Sequence, residues 1–312
     1  INYTVGGKRA EKTLDKADLA LIAKVDNSDI PYWFPTDRMM EGGETRRNDP
    51  IGITHVHHFY TKRSLWVLGA LYDKAFKSRH KLSVFFVQYA ALGFSKLSRY
   101  VPTHFSQVNQ YLSGTLYIGS QQVEVSPDYI LTGKLQRLVK HEAPRFGKIK
   151  VASIGCCDSS VFPIPGESFD YIFIDPPFGA NLNYSELNIL WEQWLKVWTN
   201  NKPEAIENSV QKKGLNEYRH LMTACFREAY RVLKPGRWMT VEFSNTKASV
   251  WNSIQTALTE AGFIVANVSA LDKKQGSFKA VTTPTAVKQD LVISAYKPNG
   301  GFEDRFQKEA TT

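Results

Sequence analysis

The chain of 312 residues carries 39 Lys+Arg against 30 Asp+Glu, a formal net charge of +9 with histidines neutral. Its mixture of 43% hydrophobic, 22% charged and 12% aromatic residues excludes disordered, collagen-like and coiled-coil classes, and its length gives one large domain or two ordinary ones. The positive excess favours an anionic partner, nucleic acid above all, although a solvated basic surface carries the same signature.

Cys156 and Cys157 are adjacent and Cys225 stands apart, so the three cysteines form neither a disulfide framework nor a CxxC metal pair. A reducing, cytoplasmic setting follows. The uncharged stretch from Leu82 to Ser95 falls well short of the roughly 20 apolar residues that a membrane-spanning helix needs, so no membrane partner is expected. Ile1 opens a polar, basic run with no signal-peptide core, and the start reads as a cut with sequence missing upstream.

Residues 1–50 show little periodicity, and the run from Pro31 to Pro50, dense in Pro, Gly, Asp and Arg, reads as a surface loop or arm. From Thr61 onward, Leu65, Leu68, Leu71, Tyr72, Ala75 and Phe76 recur at three- and four-residue steps, which predicts a helix with one buried stripe. Leu82 to Tyr100 is ambiguous between helix and strand. Ser113 to Val125, with β-branched and aromatic residues around a Gly-Ser pair, predicts a hairpin. The region 51–147 is thus helical with a hairpin, and is a candidate for contacting nucleic acid.

Beyond Lys148 short apolar runs alternate with helical periods, the pattern of a layered α/β sheet. Lys148 to Gly155 reads as a strand, and Phe169 to Asp175 as a second, central one, apolar on both faces. Tyr184 to Trp198 and Leu215 to Leu233 are helical, the latter stopped at Lys234-Pro235-Gly236. Arg237 to Phe243 is a strand, Ala248 to Ala261 a helix ending at Gly262, and Phe263 to Leu271 and Asp290 to Pro298 the last two strands. The tail, 299–312, reads as flexible.

The chemistry concentrates at Asp175-Pro176-Pro177-Phe178, where the second strand gives out. In open α/β sheets ligands bind beyond the carboxyl ends of the strands. Two prolines fix φ and remove two N–H donors, so a carboxylate and a carbonyl stand as neighbouring acceptors beside an aromatic face. An exocyclic amino group on a planar base offers two N–H donors and a π surface to match. A rigid turn capping a strand is the bland alternative.

This motif, followed by YRVLKPGRWMTVEF and a closing pair of strands, resembles the amino-methylating DNA methyltransferases, which modify adenine N6 or cytosine N4. The resemblance spans residues 149–298. It implies a Rossmann-like, mostly parallel sheet with a final antiparallel strand, so that 148–298 form the second half of the catalytic core. It also implies S-adenosyl-L-methionine as methyl donor, DNA as partner, base flipping, and Asp175, Pro176, Pro177 and Phe178 as catalytic residues. Adenine N6 is favoured over cytosine N4 by the Asp at position 175. RNA adenine and a non-catalytic nucleic-acid-binding fragment are the rival readings.

In this family an acidic or polar residue just after the strand that Lys148 to Gly155 would form meets the adenine of the donor, and Asp158 matches that position, with Gly155 as a further cofactor-binding candidate. The family's glycine-rich loop finds no counterpart, because Gly42-Gly43 lies in a polar loop and Gly114 follows no apolar strand. An upstream segment or a partner chain is expected to supply it. Within Thr54 to Arg63, the resemblance places Phe59, Tyr60 and Thr61 on the cofactor side. Lys62, Arg63, Lys96, Arg99, Arg46 and Arg47 are candidates for phosphate. His55, His57 and His58 lack a suitably spaced carboxylate or cysteine, so no metal is expected. Trp191, Trp194 and Trp198, at helical spacing, read as core.

Overall fold

The computed structural model describes residues 1–103, 110–142, 153–180, 182–245, 247–272 and 289–301. Two compact units are formed: one by Ile1–Ala152 with Tyr184–Thr199, the other by Ser153–Asn183 with Asn200–Thr312.

The first unit begins with a hairpin of β1 (Asn2–Val5) and β2 (Lys8–Glu11), turned by Gly6 and Gly7, both at positive φ. Helix α1 (Lys16–Asp26) starts from a capping box in which the Asp15 carboxylate accepts the Asp18 amide at 2.9 Å and the Asp18 carboxylate accepts the Asp15 amide at 3.0 Å. Helix α2 (Lys62–Ser78) buries Leu65, Leu68, Tyr72 and Ala75, the stripe expected from their spacing, while Phe76 is exposed. The ambiguous stretch resolves into α3 (Lys81–Ala91), and α4 (Pro127–Glu142) follows. Helix α5 (Tyr184–Glu192) and the turn after it complete the unit by inserting Ile189 and Trp194 into a core with Phe59, Leu68, Val87, Leu116 and Ile130. Each such fully buried side chain contributes about 1.5–3 kcal/mol. Of the three tryptophans at helical spacing, Trp194 is fully buried, Trp191 packs partly against the core and Trp198 is exposed.

Two expectations change here. The hairpin of Ser113 to Val125 does not form: these residues are coil, and Gln122 makes only an isolated bridge to Arg99. Their backbone groups bond to other loops instead. The Leu116 amide donates to the Glu44 carboxylate at 2.9 Å, the Leu116 carbonyl accepts from Asn48 Nδ2 at 2.7 Å, and the Val123 amide reaches the Ser98 carbonyl at 3.1 Å. With its donors and acceptors satisfied there, the segment gains nothing from pairing with itself. Second, the Pro31–Pro50 run is loop but no free arm, since Met39, Thr45 and Asn48 are buried. The fully buried Glu186 carboxylate of α5 secures it, accepting the Glu44 amide at 2.6 Å and the Thr45 amide at 3.0 Å.

In the second unit the described sheet has four strands in the order β3-β4-β6-β5: β3 (Phe169–Ile174), β4 (Leu233–Phe243), β5 (Ile264–Asp272) and β6 (Gln289–Tyr296). Helix α6 (Leu215–Val232) links β3 to β4 and helix α7 (Ala248–Glu260) follows β4. Tyr218, Met222, Phe226, Ile254 and Ala257 of these helices pack on Met239, Val241, Phe243, Ile293 and Ala295 of the sheet.

The α/β architecture is present, but the expected mostly parallel sheet is not. Among the described residues β3–β4 is the one parallel pair, while β4–β6 and β5–β6 are antiparallel. A crossover helix permits the parallel pair. No described helix separates β5 from β6, and consecutive strands without a crossover return antiparallel. Likewise β3 stands at the edge of the described sheet, with Tyr171 54% and Phe173 58% exposed, rather than covered on both faces. Lys234-Pro235-Gly236 lie within β4, where the register jumps from Phe169↔Leu233 to Tyr171↔Trp238 and Gly236 takes φ +73°. The expected strand at Lys148 to Gly155 falls mostly outside the described residues, and Ser153–Gly155 form no strand. The expected tail beyond residue 301 also lies outside them.

Gly42→Ala puts a methyl group onto the Glu186 carboxylate, so it should lower stability by about 2 kcal/mol or more, through overpacking and the loss of buried hydrogen bonds. Gly133→Ala meets nothing within 4 Å inside α4 and should raise stability by up to about 1 kcal/mol. Urea unfolding followed by tryptophan fluorescence measures both, and equal effects of the two variants would contradict this account of the loop.

Candidate active site

Strand β3 delivers Asp175 to the carboxyl end of the parallel pair, followed at once by Pro176, Pro177 and Phe178. The prolines have no amide hydrogen, so at these two positions the backbone can be held only through its carbonyls. Three of them are taken. The Tyr218 hydroxyl donates to the Pro177 carbonyl at 2.7 Å, Asn245 Nδ2 donates to the Phe178 carbonyl at 2.9 Å, and the Glu207 amide donates to the Gly179 carbonyl at 3.2 Å. Tyr218 is fully buried at the start of α6, so its hydroxyl cannot exchange this partner for water.

Two acceptors make no hydrogen bond. Asp175 is exposed and Pro176 buried, and among the described residues neither the Asp175 carboxylate nor the Pro176 carbonyl receives a donor. Phe178, half-buried, sets its ring edge-on to Phe243 with centroids 5.3 Å apart, and Phe243 touches Trp251 in turn. A carboxylate, a neighbouring carbonyl and an oriented ring are what two N–H donors on a flat heterocycle require. Gly179 turns the chain away at φ +70°, and a Cβ there would lie 2.7 Å from the buried, unpartnered Oε1 of Glu207.

Sequence reading passed over Tyr218, Asn245 and Glu207. Tyr218 was hidden in the apolar stripe of α6, where its hydroxyl carried no separate signal. Asn245, a polar residue two positions after β4, is the position that could have been noticed.

Gly155 and Asp158, in the same unit, are both exposed. One oxygen of Asp158 accepts from the Ser160 amide at 2.8 Å and its hydroxyl at 2.7 Å, which holds the carboxyl below its ordinary range and leaves the second oxygen without a protein partner among the described residues. Nothing lies within 4 Å of a Cβ on Gly155. An open backbone and a spare acceptor fit an adenosyl group.

The other candidates belong to the first unit. Phe59 and Tyr60 are core residues. Burial pushes the Tyr60 phenol up to about 12, and its oxygen accepts from Trp194 Nε1 at 3.3 Å. Thr61 caps α2, accepting the Ser64 amide at 3.2 Å and donating to Glu124 at 2.7 Å. Most of the basic candidates are engaged within the unit. Arg46 pairs with Glu41 at 2.5 Å, Arg47 with Glu44, and Arg63 with Glu124. Lys62 donates to the Asp26 carbonyl at 2.7 Å and Arg99 to the Gln110 carbonyl at 3.3 Å. Lys96 meets no carboxylate within ion-pairing distance among the described residues. No group of His, Cys, Asp and Glu able to hold a metal occurs among them, and no helix is long and apolar enough to cross a membrane.

Tyr218→Phe should cost about 1 kcal/mol of stability and free the Pro177 carbonyl. Gly179→Ala should cost more, about 1–3 kcal/mol, from positive φ and overlap with Glu207. Thermal unfolding with hydrogen exchange at residues 178–180 checks both. An unchanged exchange pattern in Tyr218→Phe would show that this bond does not hold the loop.

Comparison with known families falls on this same segment. Residues 169–309, from the first residue of β3 onward, match a family model described as DNA methylase, of N6/N4 type. No curated protein sequence matches the chain. Among solved structures the chain is similar to a protein of Thermus thermophilus provisionally named a DNA modification methylase (14% identity, 44% of this chain and 48% of that one, TM-score 0.28). The same protein complexed with S-adenosyl-L-methionine gives 15% identity, 44% and 49% coverage and a TM-score of 0.26. A SAM-dependent methyltransferase of Methanosarcina mazei gives 13% identity, 52% and 76% coverage and a TM-score of 0.28. The chain thus spans about half the length of the Thermus protein. The stretch that carries the Asp-Pro-Pro-Phe corner and the strands behind it, residues 169–309, is thus similar to the DNA methylase family.

Proposed function

We propose that this protein transfers a methyl group to an exocyclic amino nitrogen of DNA, adenine N6 in preference to cytosine N4. The observation that carries the reading is the pair of acceptors without a hydrogen bond among the described residues, the Asp175 carboxylate and the Pro176 carbonyl, on a loop whose next three carbonyls are all held. An amino nitrogen conjugated to a heterocycle is a poor nucleophile because its lone pair is delocalised into the ring. Hydrogen bonds from both its N–H groups to fixed acceptors favour a tetrahedral nitrogen and aim the lone pair. Catalysis here is chiefly positioning.

The donor in this reading is S-adenosyl-L-methionine, which supplies an electrophilic methyl group on a sulfonium. The free oxygen of Asp158 would accept from its adenosyl end beside the open backbone of Gly155. The glycine-rich loop that usually completes such a site would come from an upstream segment or another chain. Asp175 keeps its proton-accepting carboxylate toward the amine, and the ring of Phe178 offers the face on which the base rests. A base stacked in a duplex cannot reach this corner, so the target nucleotide is flipped out. Basic side chains of the first unit, Lys96 among them, would meet the backbone phosphates.

Asp175→Ala should reduce methyl transfer to duplex DNA by at least about a thousandfold, because both ground-state orientation and transition-state hydrogen bonding are lost. Its stability should stay within about 0.5 kcal/mol of wild type, since the carboxylate is exposed and unpaired among the described residues. Filter binding of tritiated methyl groups on duplex DNA and on structured RNA, with the full-length gene product, measures the first. Full activity in the variant refutes the role of Asp175, and preferential labelling of RNA replaces the substrate.

A further inference from the structure

The run Thr54–Arg63, whose histidines the methyl-transfer reading leaves unused, borders an open cavity of about 690 Å³ at the surface of the first unit. Lys62, Lys96, His57 and His58 line it, with Phe34 on its apolar side and Asp29 as the one carboxylate of the lining. The His57 and His58 rings stand 4.3 Å apart, and His55 stands 4.8 Å from His58.

The hydrogen bonds assign the ring protons. His57 Nδ1 lies 3.1 Å from the Pro35 carbonyl oxygen, so this nitrogen donates and Nε2 is free to take a second proton. His58 Nδ1 accepts from the Thr54 amide at 3.2 Å, and protonating it would set one N–H against another. His57 is therefore the ring that can gain charge without losing a bond. Burial first, and then His58 and His55 beside it, keep it below its ordinary pKa.

Lys96 is the unusual member. Its ammonium is half-buried, burial pulls its pKa down, and no carboxylate lies within ion-pairing distance among the described residues. In the same unit Arg46, Arg47 and Arg63 each have one. A half-buried cation without a counter-ion is costly, and an anion entering the cavity relieves that cost. Lys62 is the first residue of the 17-residue helix α2, whose N-terminus adds its own positive potential at the same wall. One carboxylate, Asp29, against two ammonium groups leaves the cavity positive.

We propose that this cavity binds a phosphate group, with the Lys96 and Lys62 ammonium groups as its charged donors and His57 as a further donor once protonated. The cavity is far larger than a bare phosphate, so the group arrives on a larger ester: a small phosphate monoester with an apolar body beside Phe34, or the backbone of nucleic acid. Neither source involves Asp175; a small ester would make the site independent of methyl transfer, whereas the nucleic-acid backbone rests on the DNA contact of the proposed function.

The test is calorimetric titration of the protein with phenyl phosphate and, separately, with a duplex oligonucleotide, joined to NMR of the histidine rings. Phenyl phosphate should bind, severalfold more tightly at about pH 6 than at about pH 8, and should raise the His57 pKa, because an adjacent anion favours the charged ring. Lys96→Gln should weaken it roughly ten- to hundredfold, the loss expected for one charge-assisted hydrogen bond. Lys77→Gln, an exposed lysine paired with Asp73 away from the cavity, should leave it unchanged. If Lys96→Gln does not fold, Lys62→Gln serves in its place. Parallel weakening of the duplex identifies the backbone as the source, and an effect on phenyl phosphate alone identifies a small ester. Failure of both ligands to bind, wild-type affinity in the lysine variants, or competitive displacement of phenyl phosphate by S-adenosyl-L-methionine would each overturn the proposal, the last by giving the cavity to the methyl donor.

Discussion

The second unit is organised around a shortage of donors. Two consecutive prolines at the end of β3 remove two amide hydrogens where the chain turns, so the hydrogen bonds that hold it end on its carbonyls. Tyr218 from α6, Asn245 from the residues after β4 and the amide of Glu207 supply those restraints. Each comes from a different element, and the loop is fixed only when all of them are in place. The reading of the site follows from what is left over. Were the Asp175 carboxylate bonded within the fold, it would be a cap. Open on a rigid corner, it is available to a ligand.

The same pairing of donors with acceptors separates the basic residues of the first unit. Sequence alone treats Arg46, Arg47, Arg63, Lys62, Lys96 and Arg99 as equivalent, since each is a cation that could meet phosphate. In the fold three pair with glutamates and two donate to backbone carbonyls. Ion pairs this exposed contribute little to stability, about 0–1 kcal/mol each, and a phosphate could compete for the arginines. Lys96 requires no such competition.

How far the fold was legible depended on whether an element carried its own signal. Helix α2 repeats its apolar residues over four turns, and α6 adds a polar first turn and an abrupt stop, so both could be read from spacing. The motif Asp175–Phe178 was legible because its chemistry is local: two prolines and a carboxylate need no distant partner to be noticed. The Ser113–Val125 segment failed for the opposite reason. Its alternation is real, yet Leu116 and Ile118 are drawn into the core by loops far away in sequence, and Glu44 and Asn48 take the hydrogen bonds that a hairpin would have used. Sheet direction was misjudged because order and pairing are settled by connections, and an apolar strand such as Phe169–Ile174 reads the same at an edge as at a centre.

Phe178 shows how the core reaches the Asp-Pro-Pro-Phe corner. Its ring is half-buried and edge-on to Phe243, which is fully buried between the sheet and α7 and leans on Trp251. An aromatic side chain held this way has few rotamers left, so little entropy remains to be lost when a flat ligand settles beside it. A ring free in solvent would stack as well in geometry but would have to be ordered first. Truncating Phe243 would therefore act at a distance, loosening the platform while leaving every polar group of the corner intact. Packing behind the sheet and hydrogen bonding at its end are in this way two parts of one constraint: the acceptors are fixed by Tyr218 and Asn245, and the face beside them by the hydrophobic cluster that also buries Tyr218.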